Sequence, residues 1–189
     1  MIDPHNITNF SRTQYELEEF MLFCICVPNK SANRVKYLLE ELLQMSNALT
    51  PFEKIKDLSI NCVLTKSLHS IKIGQYKKLH RALFGISALN PDLRKCTPQE
   101  LERIHGIGPK TSRYFILHSR PGQKLAVLDR HILNYLKSLG HDVPTTTPSS
   151  KRYVEIERIF LSEADKQGKT PAELDLEIWN AKARKSSNP

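Results

Sequence analysis

Two residues combine a reactive side chain with a setting that could put it to use. Lys110 stands in IHGIGPK, where a helical segment opens, and Asp129 closes the apolar run of KLAVLDRHI. A lysine in the first turn of a helix lies at the positive end of the backbone dipole. Partial burial favours a neutral amine, and a neutral amine is a nucleophile. Asp129 reads as the N-cap of the following helix, and a carboxylate held by helix amides stays ionised. If the two border one cleft, an amine and a fixed carboxylate suit attack at a glycosidic carbon, with the carboxylate stabilising positive charge on the sugar. Each residue also has a plainer reading. Lys110 can be a phosphate contact or a solvated lysine, and capping can be the whole role of Asp129. The pair is 19 positions apart, so only the fold can bring them together.

The stretch that presents Lys110 is LERIHGIGPKTSRYF, Leu101 to Phe115. Gly106 and Gly108 permit backbone angles that a side chain would forbid and let another backbone come close. Pro109 at the first helical position has no amide to leave unpaired. The free amides of the loop and the new helix form a small positive nest able to grip a phosphate oxygen. Ile104 and Ile107 can anchor the turn in a core. The expected motif is a helix–hairpin–helix over 97–118, which holds a duplex by its backbone without reading bases. A tight turn with two structural glycines is the simpler alternative.

Periodicity predicts helices nearly everywhere and no alternating strand: 14–27, the segment SANRVKYLLEELLQM, 53–60, 65–84, 98–104, 109–118, 129–138, 150–165 and 171–184. TPFE, TPQE and TPAE share one start signal, with Thr as N-cap, Pro at the first position and Glu returning a hydrogen bond. Thr147-Pro148 is a further candidate start. The first and last helices are candidates to pack together.

The 189 residues suffice for one core or for two small lobes. Lys and Arg number 28 against 20 Asp and Glu, a net charge of +8, and a basic surface suits a polyanion such as nucleic acid or a membrane. No run approaches the roughly 18 apolar residues of a membrane span, and the polar MIDPHNITNF is not expected to be a signal peptide. The four cysteines, Cys24, Cys26, Cys62 and Cys96, make no C-x-x-C pair, so zinc and iron–sulfur spacings are absent. Buried thiols and a reducing compartment are expected.

LERIHGIGPKTSRYFIL and KLAVLDRHI together resemble the hairpin and aspartate signature of the helix–hairpin–helix (HhH-GPD) DNA glycosylases, and PAELDLEIW resembles the C-terminal region of their compact archaeal and bacterial 8-oxoguanine group. The resemblance is strong over about 97–138 and patchier over 15–45 and 150–182. It implies an all-α, two-lobed fold spanning 1–189, with no iron–sulfur cluster, since no cysteine follows Cys96. It also implies a bifunctional glycosylase and AP lyase. Lys110 would attack the sugar C1′ of an oxidised purine and pass through a Schiff base to β-elimination, and Asp129 would stabilise the oxocarbenium-like state.

By the same resemblance, Asn29 in CVPNKSANR is the candidate wedge for the gap left by a flipped nucleotide, unless it or Ser31 caps the next helix. Asp175 and Trp179 are base-pocket candidates; the alternative is that Leu174, Ile178 and Trp179 dock the last helix, with Asp175 on a solvated face. Gly106, Gly108, Arg113, Lys124, Arg130 and His131 are candidate backbone contacts, although Arg130 and His131 can equally be surface residues. The group typically ends in a glycine and a terminal lysine that touches the oxidised base. This chain carries NAKARKSSNP instead, where Lys182 or Lys185 could substitute.

The expected partner is therefore duplex DNA containing a damaged base. No metal or organic cofactor is needed, no membrane is involved and nothing demands a second subunit. The expected location is the cytoplasm or nucleoid, or the nucleus in a eukaryote. Alternatives are the same fold acting on oxidised pyrimidines or alkylated purines, a non-catalytic hairpin module, and an unrelated helical scaffold.

Overall fold

The computed structural model describes residues 2–185, apart from the side chains of Ser150 and of residues 182–185. Among the described residues all regular structure is helical. The chain divides into two compact units. One holds Ser11–Gly108 with the residues up to Pro4, and the other holds His5–Phe10 with the chain from Pro109 onward.

The first unit is built around α1 (Gln14–Cys26), whose Phe20, Met21, Leu22, Phe23 and Cys24 are all buried. That apolar density makes it a central helix rather than a surface one. Thr13 and Glu16 form a capping box at its start. Glu18, its one buried acid, accepts the Phe52 amide at 3.0 Å in the first turn of α3 (Pro51–Ile60), satisfying a donor that the helix itself leaves open. Between them runs α2 (Ala32–Gln44), capped by Ser31 and buried along Val35, Leu39 and Leu42.

The single helix expected over 65–84 is two, α4 (Leu64–Ser70) and α5 (Tyr76–Leu89). Lys72, Gly74 and Gln75 between them take positive φ values of 54°, 78° and 51°, while Ile71 and Ile73 are buried. Left-handed residues break the helix while the two isoleucines keep its apolar rhythm, so periodicity alone reads straight through. α6 (Pro98–Glu102) follows, and the Thr-Pro-x-Glu starts are capping boxes at both α3 and α6.

The second unit contains α7 (Pro109–Ser119), α8 (Arg130–Ser138), α9 (Ser150–Lys166) and α10 (Pro171–Lys185). Thr170 and Glu173 exchange the same reciprocal hydrogen bonds ahead of α10. α9 turns Tyr153, Ile156, Phe160 and Ala164 into a core shared with Leu133 and Leu136 of α8 and Leu174 of α10. Thr147 does not start α9, whose N-cap is Ser149. α1 and α10 belong to different units. The segment that accompanies α10 is His5–Phe10, whose His5 carbonyl accepts from Asn180 at 3.3 Å.

Candidate active site

Lys110 and Asp129 meet within the second unit. Lys110 Nζ lies 3.4 Å from Asp129 Oδ2, with the lysine side chain 38% exposed and the aspartate 13%. The two carboxylate oxygens have separate partners. Oδ1 accepts the amides of His131 at 2.7 Å and Ile132 at 3.0 Å and so caps α8. Oδ2 is turned to the amine. Capping therefore aims the second oxygen, and the amine keeps a solvent-facing side through which another molecule could approach.

The loop that delivers Asp129 has no helix or strand to satisfy its backbone. Side chains do this instead. The Ala126 amide donates to Glu157 Oε1 at 2.9 Å. Tyr153 Oη donates to the Ala126 carbonyl at 2.7 Å and accepts the Leu128 amide at 3.1 Å. Thr147 donates to the Leu128 carbonyl at 3.1 Å. Burial pushes the Tyr153 hydroxyl's pKa far up, so it stays a donor. The sequence reading missed this network. Glu157 left a signal, a charged residue at helical spacing beside the apolar stripe of Tyr153, Ile156 and Phe160, but Tyr153 reads only as core.

Arg113 is part of the same support. It is 7% exposed, donates from Nε to Glu157 Oε1 at 3.0 Å, and lies 4.4 Å over the Tyr153 ring. Expected at a DNA phosphate, it instead turns inward and ties α7 to α9 through the Glu157 carboxylate, whose side chain is 12% exposed. Arg130 and Lys124 are exposed and His131 half-buried near the start of α8.

Asp175 is buried, with Oδ2 3.1 Å from His118 Nε2, and His118 Nδ1 lies 2.7 Å from Thr8 Oγ1. Burial raises the Asp175 pKa, His118 opposes that rise, and the charges of Asp129 and Lys110 also reach it. Expected to meet a base, Asp175 is thus held by His118 within range of the Lys110–Asp129 pair. Trp179, one helical turn on, is half-buried and edge-on to His5 with centroids 6.1 Å apart. The side chains of Lys182 and Lys185 lie outside the described residues, as does the tail from Ser186.

In the first unit the hairpin residues Ile104 and Ile107 are buried, as anchors should be. The two glycines differ. Gly106 has φ +92°, and a Cβ there would sit 3.0 Å from Ala82 Cβ. Gly108 has no positive φ, and a Cβ added there would meet nothing within 4 Å, so backbone strain does not require glycine at that position. Its lack of a side chain leaves open space. Asn29 is exposed in a left-handed turn (φ 63°), and Ser31, not Asn29, caps α2.

Over 76 residues, 39% of this chain, the sequence is 36% identical to the 8-oxoguanine DNA glycosylase/AP lyase of Thermotoga maritima. That match spans 36% of the relative's length. The crystal structure of the T. maritima 8-oxoguanine DNA glycosylase superposes with a TM-score of 0.69 at 25% identity, covering 88% of this chain and 79% of that one. The Methanocaldococcus jannaschii 8-oxoguanine glycosylase/lyase, solved with a 15-mer DNA containing 8-oxoguanine, shares the fold with a TM-score of 0.71 at 22% identity, covering 92% and 83%. With residues 4–169 matching the Ogg-HhH pattern, described as 8-oxoguanine DNA glycosylase, the chain belongs to that family.

Proposed function

We propose that the protein is a bifunctional DNA glycosylase and AP lyase acting on an oxidised purine, 8-oxoguanine, in duplex DNA. The 3.4 Å approach of Lys110 Nζ to Asp129 Oδ2 carries the reading. The target nucleotide is extruded from the stack so that its sugar can reach the amine. The neutral amine's lone pair forms a bond to C1′ while the C1′–base bond breaks, and the base leaves with that electron pair and takes up a proton. Asp129 Oδ2 faces the positive charge that builds on the sugar, already oriented by the α8 amides and so at little reorganisation cost. The sugar ring then opens at O4′ to give an imine on Lys110. The imine acidifies C2′, a proton leaves that carbon, and the 3′ phosphate departs by β-elimination.

Borohydride reduces an imine to a stable amine, so duplex DNA containing 8-oxoguanine should be captured covalently by the parent protein. Lys110→Gln should abolish capture, and retained capture would remove Lys110 from its role. Asp129→Asn keeps an oxygen for the cap but loses the charge, so it should fold and bind DNA while releasing base at least about tenfold more slowly. Single-lesion duplexes carrying oxidised pyrimidines or alkylated purines, run beside 8-oxoguanine, test the substrate. Faster release of one of those bases would reassign it.

A further inference from the structure

The segment His5–Phe10 packs with the second unit, although α1 to α6 separate it from α7 in sequence. Ile7 anchors it by burial, and the residues around Ile7 reach two helices. Toward α7, the Asn9 amide donates to the His118 carbonyl at 3.1 Å, and Thr8 Oγ1 lies 2.7 Å from His118 Nδ1. Toward α10, the His5 carbonyl accepts from Asn180, and the His5 ring stands edge-on to Trp179. The fully buried His118 ring passes the Thr8 contact on, with Nε2 3.1 Å from Asp175 Oδ2. Asp175 and Trp179 lie one turn apart on α10, so a single segment braces both.

The donors and acceptors of this chain fix one another. With Asp175 ionised, its oxygens only accept, so His118 Nε2 carries a proton and donates to Oδ2. In a neutral ring Nδ1 is then an acceptor, and the Thr8 hydroxyl fills it. The hydroxyl thereby sets both the protonated nitrogen and the turn of the ring. The Asp175 side chain keeps 7% of its surface open, and Oδ1 accepts no hydrogen bond among the described residues. An almost buried carboxylate oxygen without a donor is costly, and an N–H on the edge of an extruded base would supply one. We propose that Thr8 and His118 are positioning residues, holding the Asp175 carboxylate so that Oδ1 accepts an N–H from the oxidised purine. The assignment rests on the function reading above and names what orients its base-facing carboxylate.

Two duplexes separate the orientation of Asp175 from the chemistry of Lys110. One contains 8-oxoguanine and is followed by base release. The other contains a preformed abasic site and is followed by borohydride capture, a step with no base to hold. Thr8→Val keeps the side chain's shape and loses its hydroxyl. It should release 8-oxoguanine about 10- to 100-fold more slowly while capturing the abasic duplex at the parent rate. Thr8→Ser retains the hydroxyl and should release base at the parent rate. His118→Phe keeps a ring against Tyr114 and loses both side-chain bonds, so its base release should fall at least as far as that of Thr8→Val. Thr8 is only half-buried, so Thr8→Val decides the matter should His118→Phe fold poorly. Thr65→Val removes a like bond, 2.8 Å to His80 Nδ1 in the first unit, and should change neither rate. Parental base release by Thr8→Val overturns the assignment. Equal slowing on both duplexes also overturns it, since the unit as a whole would then be damaged. A parent that captures the abasic duplex but releases no 8-oxoguanine overturns it and leaves the lyase part of the function reading standing. A parent active on neither duplex defeats that reading and the assignment with it.

Discussion

Replacing Tyr153 with Phe removes one oxygen from the second unit and should loosen the loop that presents Asp129. The hydroxyl donates to the Ala126 carbonyl at 2.7 Å and accepts the Leu128 amide at 3.1 Å, and both backbone residues are buried. Phe keeps the ring in the core and beneath the Arg113 guanidinium, so little packing is lost. A buried group left without its partner costs about 1–3 kcal/mol, and two such groups with some local relaxation cost about 2–4 kcal/mol. With a urea m-value of about 2 kcal/mol/M, the unfolding midpoint should fall by about 1–2 M at unchanged m. The same variant should trap DNA about 10- to 100-fold more slowly, because a shift of about 1 Å in a catalytic group costs that much. A midpoint within about 0.2 M of the parent, together with parental trapping, would refute the argument that this hydroxyl holds the Asp129 loop.

The two hairpin glycines should separate by assay. Gly106→Ala should lose about 1–2 kcal/mol from its left-handed backbone alone, with further loss from the contact to Ala82, as read by urea unfolding. Gly108→Ala should unfold within about 0.5 kcal/mol of the parent yet bind duplex DNA more weakly, and parental affinity would show that the open space is unused. Because burial raises the Asp175 pKa, the folded state binds that proton more tightly than the unfolded chain. Its stability contribution is therefore full below the ordinary value of 3.8 and is lost as pH rises through the folded value. Urea midpoints of Asp175→Asn should fall less steeply than the parent's from about pH 4 upward, and parallel profiles would contradict this. Of the four thiols only Cys62 is exposed, so a thiol reagent should label one in the native protein and four after unfolding.

The helix starts were legible because capping is local. Thr50, Thr97 and Thr170 each meet a glutamate three residues on, within one turn, whatever the rest of the chain does. The break between α4 and α5 was not, because Ile71 and Ile73 continue the apolar rhythm through three left-handed residues. Lys110 and Asp129 stood out because each sits at a helix start that its neighbours announce. Arg113 misled because a basic residue near a DNA-binding turn looks the same in sequence whether it faces a phosphate or a partly buried glutamate 44 residues away.

By itself the sequence determined the all-helical architecture, the capped starts, the glycine turn and the two residues able to do chemistry. All of these follow from interactions within about one helical turn. Tertiary structure alone decided that Lys110 and Asp129 meet, that Tyr153 and Glu157 hold the loop between them, and that Gly106 rather than Gly108 is constrained by its backbone. Those outcomes depend on which face each helix buries and on long-range pairing of backbone groups that no helix satisfies, and neither is encoded in local spacing.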